Sequence, residues 1–262
     1  MEKDKRLAAF EKLLDIMDEL REKCPWDHEQ TFESLRNNTI EETYELADAI
    51  IKKDMSDIRK ELGDLLLHIV FYAKIGSETG DFDITDVING ICDKLIYRHP
   101  HVFGNVDVNN DSNEVIKNWE QLKLKEKDGN KTVLSGVPAA LPALIKANRI
   151  QEKVSAIGFD WENRSQVWDK VIEEYNEVQA ELENEDKNHL EEEFGDLFFA
   201  IVNAARLYDI DPETALERTN KKFMRRFAYL EQKTIKQGRS LKTMTLDQMN
   251  EIWEEAKKEL AD

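Results

Sequence analysis

The strongest constraint on this chain is a phrase that it writes twice. Residues 61–73 read ELGDLLLHIVFYA and residues 193–205 read EFGDLFFAIVNAA, so Glu61, Gly63 and Asp64 recur as Glu193, Gly195 and Asp196, 132 positions on. EETYE at 41–45 recurs as EEYNE at 173–177 with the same offset of 132, so the interval between the two blocks is also kept. Lys94 and Arg98 match Lys222 and Arg226 at an offset of 128, and WEQLK from Trp119 matches WEEAK from Trp253 at 134. Four blocks in one order, present twice, imply two homologous halves. A length of 262 residues gives each half enough chain to bury a core of its own.

The pattern within each half is helical. Leu7, Phe10, Leu13, Leu14, Met17 and Leu20 recur at helical spacing, as do Tyr44, Ala47, Ile50 and Ile51, and Leu62, Leu65, Leu66, Ile69 and Val70. Sustained alternation is absent, and Glu, Lys, Leu and Ala dominate over 5 prolines and 10 glycines. The expected class is all-α: two homologous helical bundles whose short connections make neighbouring helices antiparallel. GNVDVNNDSNE at 104–114 is the clearest loop, and KDGNKTVLSGVPAALP at 127–142 is the best inter-domain linker. The expected division is a first domain at 1–128, a linker at 129–142 and a second domain at 143–262.

Charge narrows the partners. A formal charge of −18 argues against general binding to nucleic acid or to an anionic membrane, both of which need a basic face. The amino terminus has no apolar signal region, and no run approaches the roughly 18 apolar residues of a membrane span. A soluble cytoplasmic protein is therefore expected. Cys24 and Cys92 have no metal or redox spacing and read as free thiols.

The repeated blocks carry acids three residues apart, which project together from a helix because they sit about 60° apart around its axis. Glu42 with Glu45 and Glu61 with Asp64 form two such pairs, and the stretch between them supplies a turn near 54–56. Antiparallel packing brings the pairs face to face. Glu174, Glu177, Glu193 and Asp196 repeat the construction in the second half. A single E-x-x-E is ordinarily a solvated face in a chain where 55 of 262 residues are acidic. A surface face, however, has no reason to keep one interval and one glycine in both halves. At ~4 Å and an effective dielectric near 20, each pair of like charges costs about 4 kcal/mol, so four converging carboxylates stay ionised only around a cation. Oxygen-only ligands select hard divalent ions, Mg²⁺ with Mn²⁺ as a possible substitute. Di-iron bundles need Glu-x-x-His pairs instead, and His68 has Ala200 as its counterpart. Gly63 and Gly195 beside the acids would permit close helix approach or ligand access.

With these motifs in hand, the chain resembles the MazG-type nucleoside triphosphate pyrophosphohydrolases of the all-α NTP pyrophosphohydrolase superfamily. The resemblance rests on E-E-x-x-E followed by E-x-x-D in both halves, together with CPWD at 24–27, RHPHVF at 98–103, LPAL at 141–144 and GFDW at 158–161. It covers nearly the whole chain and points to the two-domain member of the family. It implies Mg²⁺-dependent hydrolysis of nucleoside triphosphates, ATP included, to the monophosphate and pyrophosphate, in a helical homodimer of broad nucleotide range. The acid quartets fit this chemistry, since bound metals can hold the triphosphate and activate a water. Glu41 and Glu173, which adjoin the quartets, are either acceptors of the water proton or outward-facing charges, and Glu192 is a rival in the second half. By match to the family pattern, Lys170, Lys222 and Arg226 meet the phosphates, with Lys94 and Arg98 as first-half equivalents. Trp253, and Trp119 in the first half, is either a stacking platform for a base or part of the core.

The halves are unequal. Asn203 has Phe71 as its counterpart, Lys170 has Asn38, and Glu192 has Lys60. Phenylalanine cannot supply the hydrogen bonds of an asparagine, so the second half is the expected principal catalytic site. Two other readings stand beside this one. One is a narrower superfamily member, such as a dUTP or dCTP pyrophosphatase or a phosphoribosyl-ATP hydrolase. The other is a non-catalytic helical interaction protein with solvated acidic faces.

Overall fold

The computed structural model describes residues 4–108, 114–115, 118–119, 122–123, 126, 132–182 and 186–260. Among them are eleven α-helices and no strand, so the all-α expectation holds. The chain divides into two compact units, Met1–Asn110 and Asp111–Asp262. The expected linker lies partly outside the described residues, at 127–131. No helix among the described residues is long and apolar enough to cross a membrane.

The first unit contains α1 (Lys5–Lys23), α2 (Pro25–Glu29), α3 (Phe32–Lys52), α4 (Met55–Thr79), α5 (Ile84–Arg98) and α6 (Pro100–Phe103). Its centre is the hairpin of α3 on α4. Lys53 ends α3 in the left-handed region at φ 57°, and the Asp54 carboxylate opens α4 by accepting from the backbone N–H groups of Ser56 (2.9 Å) and Asp57 (3.2 Å). Met17, Leu35, Val70, Phe71 and Ile75 form the buried core that packs α1 onto the hairpin. Arg21 is buried beside it, 5.6 Å above the Phe71 ring. Its guanidinium pairs with Glu78 and donates to the carbonyls of Asp27, His28 and Gln30, which pins the CPWD segment against α4.

The second unit contains α7 (Ala143–Ser155), α8 (Gln166–Glu181), α9 (Lys187–Leu207), α10 (Pro212–Lys236) and α11 (Leu246–Glu259), with a 3₁₀ turn at Leu241–Thr243. The hairpin here is α8 on α9, and Asp186 caps α9 through Asn188 N (2.9 Å) and His189 N (3.4 Å). Asp54 and Asp186 are themselves 132 residues apart, so the repeat includes the cap that fixes where each second helix begins. A fixed start is what keeps the acids of the two helices in register.

Among the described residues, a Cβ placed on Gly63 or Gly195 would meet nothing within 4 Å, so no described helix packs closely against either glycine. Both lie on exposed faces flanked by large apolar side chains, Leu62 and Leu66 in one case, Phe194 and Phe198 in the other.

Candidate functional site

In the second unit the α8–α9 hairpin brings together Glu174, Glu177 and Glu193, each offering a carboxylate oxygen within 4.8 Å of the others. Asp196, one turn further along α9, stands outside this trio and lines the adjoining cleft. Glu174 is only 5 % exposed. One of its oxygens accepts from Lys170 Nζ at 2.6 Å, while Oε2 is buried and has no hydrogen-bond partner. The same ammonium donates to Glu173 at 2.8 Å. Its bonds to Glu173 and Glu174 hold the lysine well above its ordinary pKa. The Glu177 carboxyl is pushed up, first by sharing a hydrogen bond with Glu174, then by burial and by the charges of Glu174 and Glu193. Glu192 is exposed on α9 and outside the trio.

The first unit repeats the trio with Glu42, Glu45 and Glu61, again within 4.8 Å, and again without its fourth acid, Asp64. Burial, then the charges of Asp64 and Glu45 and the neighbouring Glu61, push the Glu42 carboxyl up. Glu61 is 4 % exposed and its Oε2 is buried without a partner. The neutralising lysine comes from a different place. Lys60, on α4, donates to Glu61 at 2.8 Å and stands 4.0 Å from both Glu45 and Asp64. Position 60 corresponds to Glu192, and Asn38 stands where Lys170 is in the second unit, so the two copies solve the same charge problem with lysines on opposite helices. Glu41 lies outside the trio. With Tyr44, Asp48, Lys52 and Asp57 it lines a cavity of about 470 Å³ that also reaches Glu45 and Glu61.

Both trios fit a hard divalent cation. Each consists of carboxylate oxygens alone, each keeps one buried oxygen with no partner among the described residues, and in each a carboxyl is pushed up, Glu42 first by burial and then by neighbouring charge, Glu177 first by its hydrogen bond with Glu174.

The units differ in what adjoins the acids. In the second, a cleft of about 640 Å³ runs beside Glu174 and Asp196 and is lined by Lys170, Asn203 and Arg206 as well as by Phe159, Trp161 and Phe199. In the first, bulkier groups hold the corresponding positions. His68 and Phe71 are buried where the second unit has Ala200 and Asn203, and Tyr72 stands in place of Ala204. Thr39 Oγ1 ties His68 Nδ1 (2.7 Å) to Tyr72 OH (2.6 Å).

The structure thus places Lys170 and Asn203 at one cleft with the acids. Lys222 and Arg226 lie on α10 and Trp253 on α11, outside the residues that line it. Arg226 Nε is buried without a hydrogen-bond partner. Trp253 packs against Phe223, ring centres 5.0 Å apart, and Phe223 stacks on Phe227. Lys94 and Arg98 occupy the last two turns of α5. Trp119 is half-buried with the Lys123 ammonium 4.0 Å over its ring.

Sequence reasoning overlooked Gln151, Asp160, Arg206 and Lys60. Asp160 was visible within GFDW, and Arg206 lies one turn from Asn203 on the same helix face; Gln151 carried no signal of its own.

The family model for the MazG nucleotide pyrophosphohydrolase domain matches residues 30–103 and 163–229, and each segment contains one acid quartet. A nucleoside triphosphate pyrophosphohydrolase of Escherichia coli K12 is 44% identical, covering 98% of this chain and 100% of that protein. The nucleoside triphosphate pyrophosphohydrolase/pyrophosphatase MazG of Thermotoga maritima is also 44% identical, over 95% of each chain. An uncharacterised Bacillus subtilis protein, YabN, is 46% identical over 95% of this chain but only 51% of its own length.

Proposed function

Since this chain belongs to the MazG nucleotide pyrophosphohydrolase family, we propose how its two acid clusters serve that chemistry. The protein is a nucleoside triphosphate pyrophosphohydrolase, which converts its substrate to the nucleoside monophosphate and pyrophosphate. These products require that one P–O bond of the α–β bridge breaks with water supplying the new oxygen, and attack at the α-phosphorus, with pyrophosphate as the leaving group, is the reading taken for this site.

The principal site is in the second unit, and the observation that carries this reading is Glu174 Oε2. It is a buried carboxylate oxygen without a partner, in a residue that also lines the cleft shared by Lys170 and Asn203. Glu174, Glu177 and Glu193 would hold Mg²⁺, with Asp196 one turn along α9 at the cleft as the fourth acid of the set; when bound, the ion neutralises phosphate charge and makes a water more acidic. Lys170, paired to Glu173 and Glu174, would turn its ammonium to a phosphate oxygen when substrate fills the cleft. Glu173 is then released to accept the proton of the attacking water, with Glu192 its rival and Glu41 its first-unit equivalent. Lys222 and Arg226 supply further positive charge to the phosphates, Lys94 and Arg98 being their counterparts, and Trp253 and Trp119 are the aromatic candidates for the base. The cleft's mixed aromatic and polar lining supports a broad range of ribo- and deoxynucleotides, ATP included. Pyrophosphate release measured across the eight common nucleotides tests this. Turnover should require Mg²⁺ or Mn²⁺ and vanish with EDTA; turnover of one nucleotide alone, or turnover that survives chelation, would refute breadth or metal dependence respectively.

The reading extends to a cytoplasmic homodimer, which works where nucleotide pools lie. A second copy would account for Gly195, beside which no described residue lies within 4 Å of a Cβ, and for the exposed Ile172, Tyr175, Phe194, Phe198 and Ile201 on α8 and α9. Sedimentation equilibrium at micromolar concentration should give twice the mass of 30.6 kDa, and a monomer there would remove the proposal.

A further inference from the structure

The cleft of the second unit holds two amide side chains whose orientation the protein fixes and whose other ends have no hydrogen-bond partner among the described residues. Gln151, on α7, is 3 % exposed. Its amide nitrogen donates to the Phe199 carbonyl at 2.8 Å, and its Oε1 is buried with no hydrogen-bond partner. A carbonyl can only accept, so turning the amide round would set oxygen against oxygen. Gln151 therefore presents an acceptor. Asn203, one turn beyond Phe199 on α9, is set the opposite way. Its Oδ1 accepts from Arg206 Nε (3.1 Å) and Nη2 (2.8 Å), which leaves its NH₂ as the free end.

Arg206 is itself immobilised. It donates to both oxygens of Asp160, at 3.0 and 2.6 Å, and the Ser155 hydroxyl donates to Asp160 at 2.6 Å. Burial pushes the Asp160 carboxyl up, but Arg206, Ser155 and the Trp161 N–H outweigh it and keep the group ionised. Orientation thus passes from the GFDW segment through Arg206 to Asn203. Both amides line the same cleft, among Phe159, Trp161 and Phe199, and Glu174 and Asp196 line it too. Asn203 lies seven residues from Asp196, about 10 Å along a helix rising 1.5 Å per residue. A phosphate chain engaged near the acids would run its sugar and base along α9 toward Asn203.

We propose that Gln151 Oε1 and Asn203 Nδ2 form a fixed acceptor–donor pair that reads the polar edge of the nucleobase, Gln151 accepting a ring or amino N–H. This rests on the pyrophosphohydrolase reading of the second unit. Each common base carries an N–H next to an acceptor on its pairing edge: the 6-amino group and N1 of adenine, the 4-amino group and N3 of cytosine, N1–H and O6 of guanine, N3–H and O4 of uracil and thymine. Adenine and cytosine present the two in the opposite order from guanine, uracil and thymine, so one fixed pair suits the first two in a single base orientation and the others with the base turned over. What it rejects is a base that has lost the N–H, because a buried acceptor built to be paired is then left unmatched.

The test compares ATP with purine riboside triphosphate, which lacks only the 6-amino group. The unaltered enzyme should show kcat/KM at least about tenfold lower for the analogue. Gln151→Met, close in shape and without the acceptor, should lower kcat/KM for ATP and raise it for the analogue until the two converge, and keep the thermal midpoint. Equal kcat/KM for the two substrates in the unaltered enzyme overturns the pair without recourse to any variant. If Gln151→Met changes the ratio of ATP to dATP instead, the acceptor serves the ribose hydroxyl and the proposal is wrong. Pyrophosphate release from no nucleotide at all would overturn the functional reading with it, whereas turnover without discrimination overturns the pair alone.

Discussion

Glu193→Gln is expected to lower kcat/KM for nucleoside triphosphates by at least about a hundredfold, while Glu61→Gln leaves most of the activity. Glutamine keeps the shape and one oxygen of glutamate but removes the charge, so the substitution probes cation holding with little effect on packing. Partners that merely orient a metal ligand are worth about 10–100-fold, and loss of the ligand itself should cost no less. The asymmetry follows from what surrounds equivalent acids. Glu193 stands beside Glu174, which borders a cleft of about 640 Å³ with Lys170 and Asn203. Glu61 stands beside Lys60, and the neighbouring positions carry the buried ring of Phe71 and the Thr39–His68–Tyr72 cluster. The first unit keeps the acids but has bulky groups where the second has room for a nucleoside. Steady-state pyrophosphate release by the two variants checks this, and a dead Glu61→Gln beside an active Glu193→Gln would reverse the assignment.

The parts of this site that were legible in the sequence are those governed by local rules. Helical spacing placed the acids in pairs, and repetition at a fixed interval separated them from ordinary solvated glutamates. The turn cap formed by Asp54, and again by Asp186, explains why that interval is invariant: it fixes the first residue of each second helix. Asp64 and Asp196 show where local reasoning ended. Both were expected to converge with the other three acids of their quartets; in each unit the three glutamates draw within 4.8 Å of one another, while Asp64 acts on Glu42 through its charge and Asp196 borders the cleft. The glycines were noticed correctly and explained only in part, because the space beside a glycine depends on what comes near it in three dimensions. Gln151 was invisible for a further reason. A lone glutamine on an amphipathic helix has no periodic signature, and its meaning arises only when the Phe199 carbonyl of another helix claims its nitrogen. Lys60 was likewise read only as the counterpart of Glu192, since periodicity does not register where a long side chain can swing its charge.

Mg²⁺ should stabilise the protein, and the gain should grow as the pH rises. Without a cation, Glu42 and Glu177 have carboxyls raised above the ordinary glutamate value of 4.5. The folded protein therefore holds protons that the unfolded chain has released, and linkage makes metal-free stability fall with increasing pH. The sign is opposite to that of a salt-bridged carboxylate: the acid clusters are least unfavourable below the unfolded value of 4.5, and their cost develops as the pH passes upward from there through the raised folded values. A divalent ion favours the ionised carboxylates and competes with those protons, so binding strengthens over the same interval. At a free ion concentration of 100 times Kd, a single site adds about 2.7 kcal/mol. Urea unfolding at pH 5 and pH 8, with EDTA or with Mg²⁺, gives the four values required. The metal-free protein should lose stability between the two pH values as far as these groups are concerned, and Mg²⁺ should restore it most at pH 8. Mg²⁺ without effect at pH 8 would mean that the buried oxygens of Glu61 and Glu174 are not cation ligands, whereas an equal gain at both pH values would mean that the raised carboxyls have no part in binding. In Glu193→Gln the second-unit share of the gain should disappear while the first-unit share persists, so the same titration tells the two clusters apart independently of turnover.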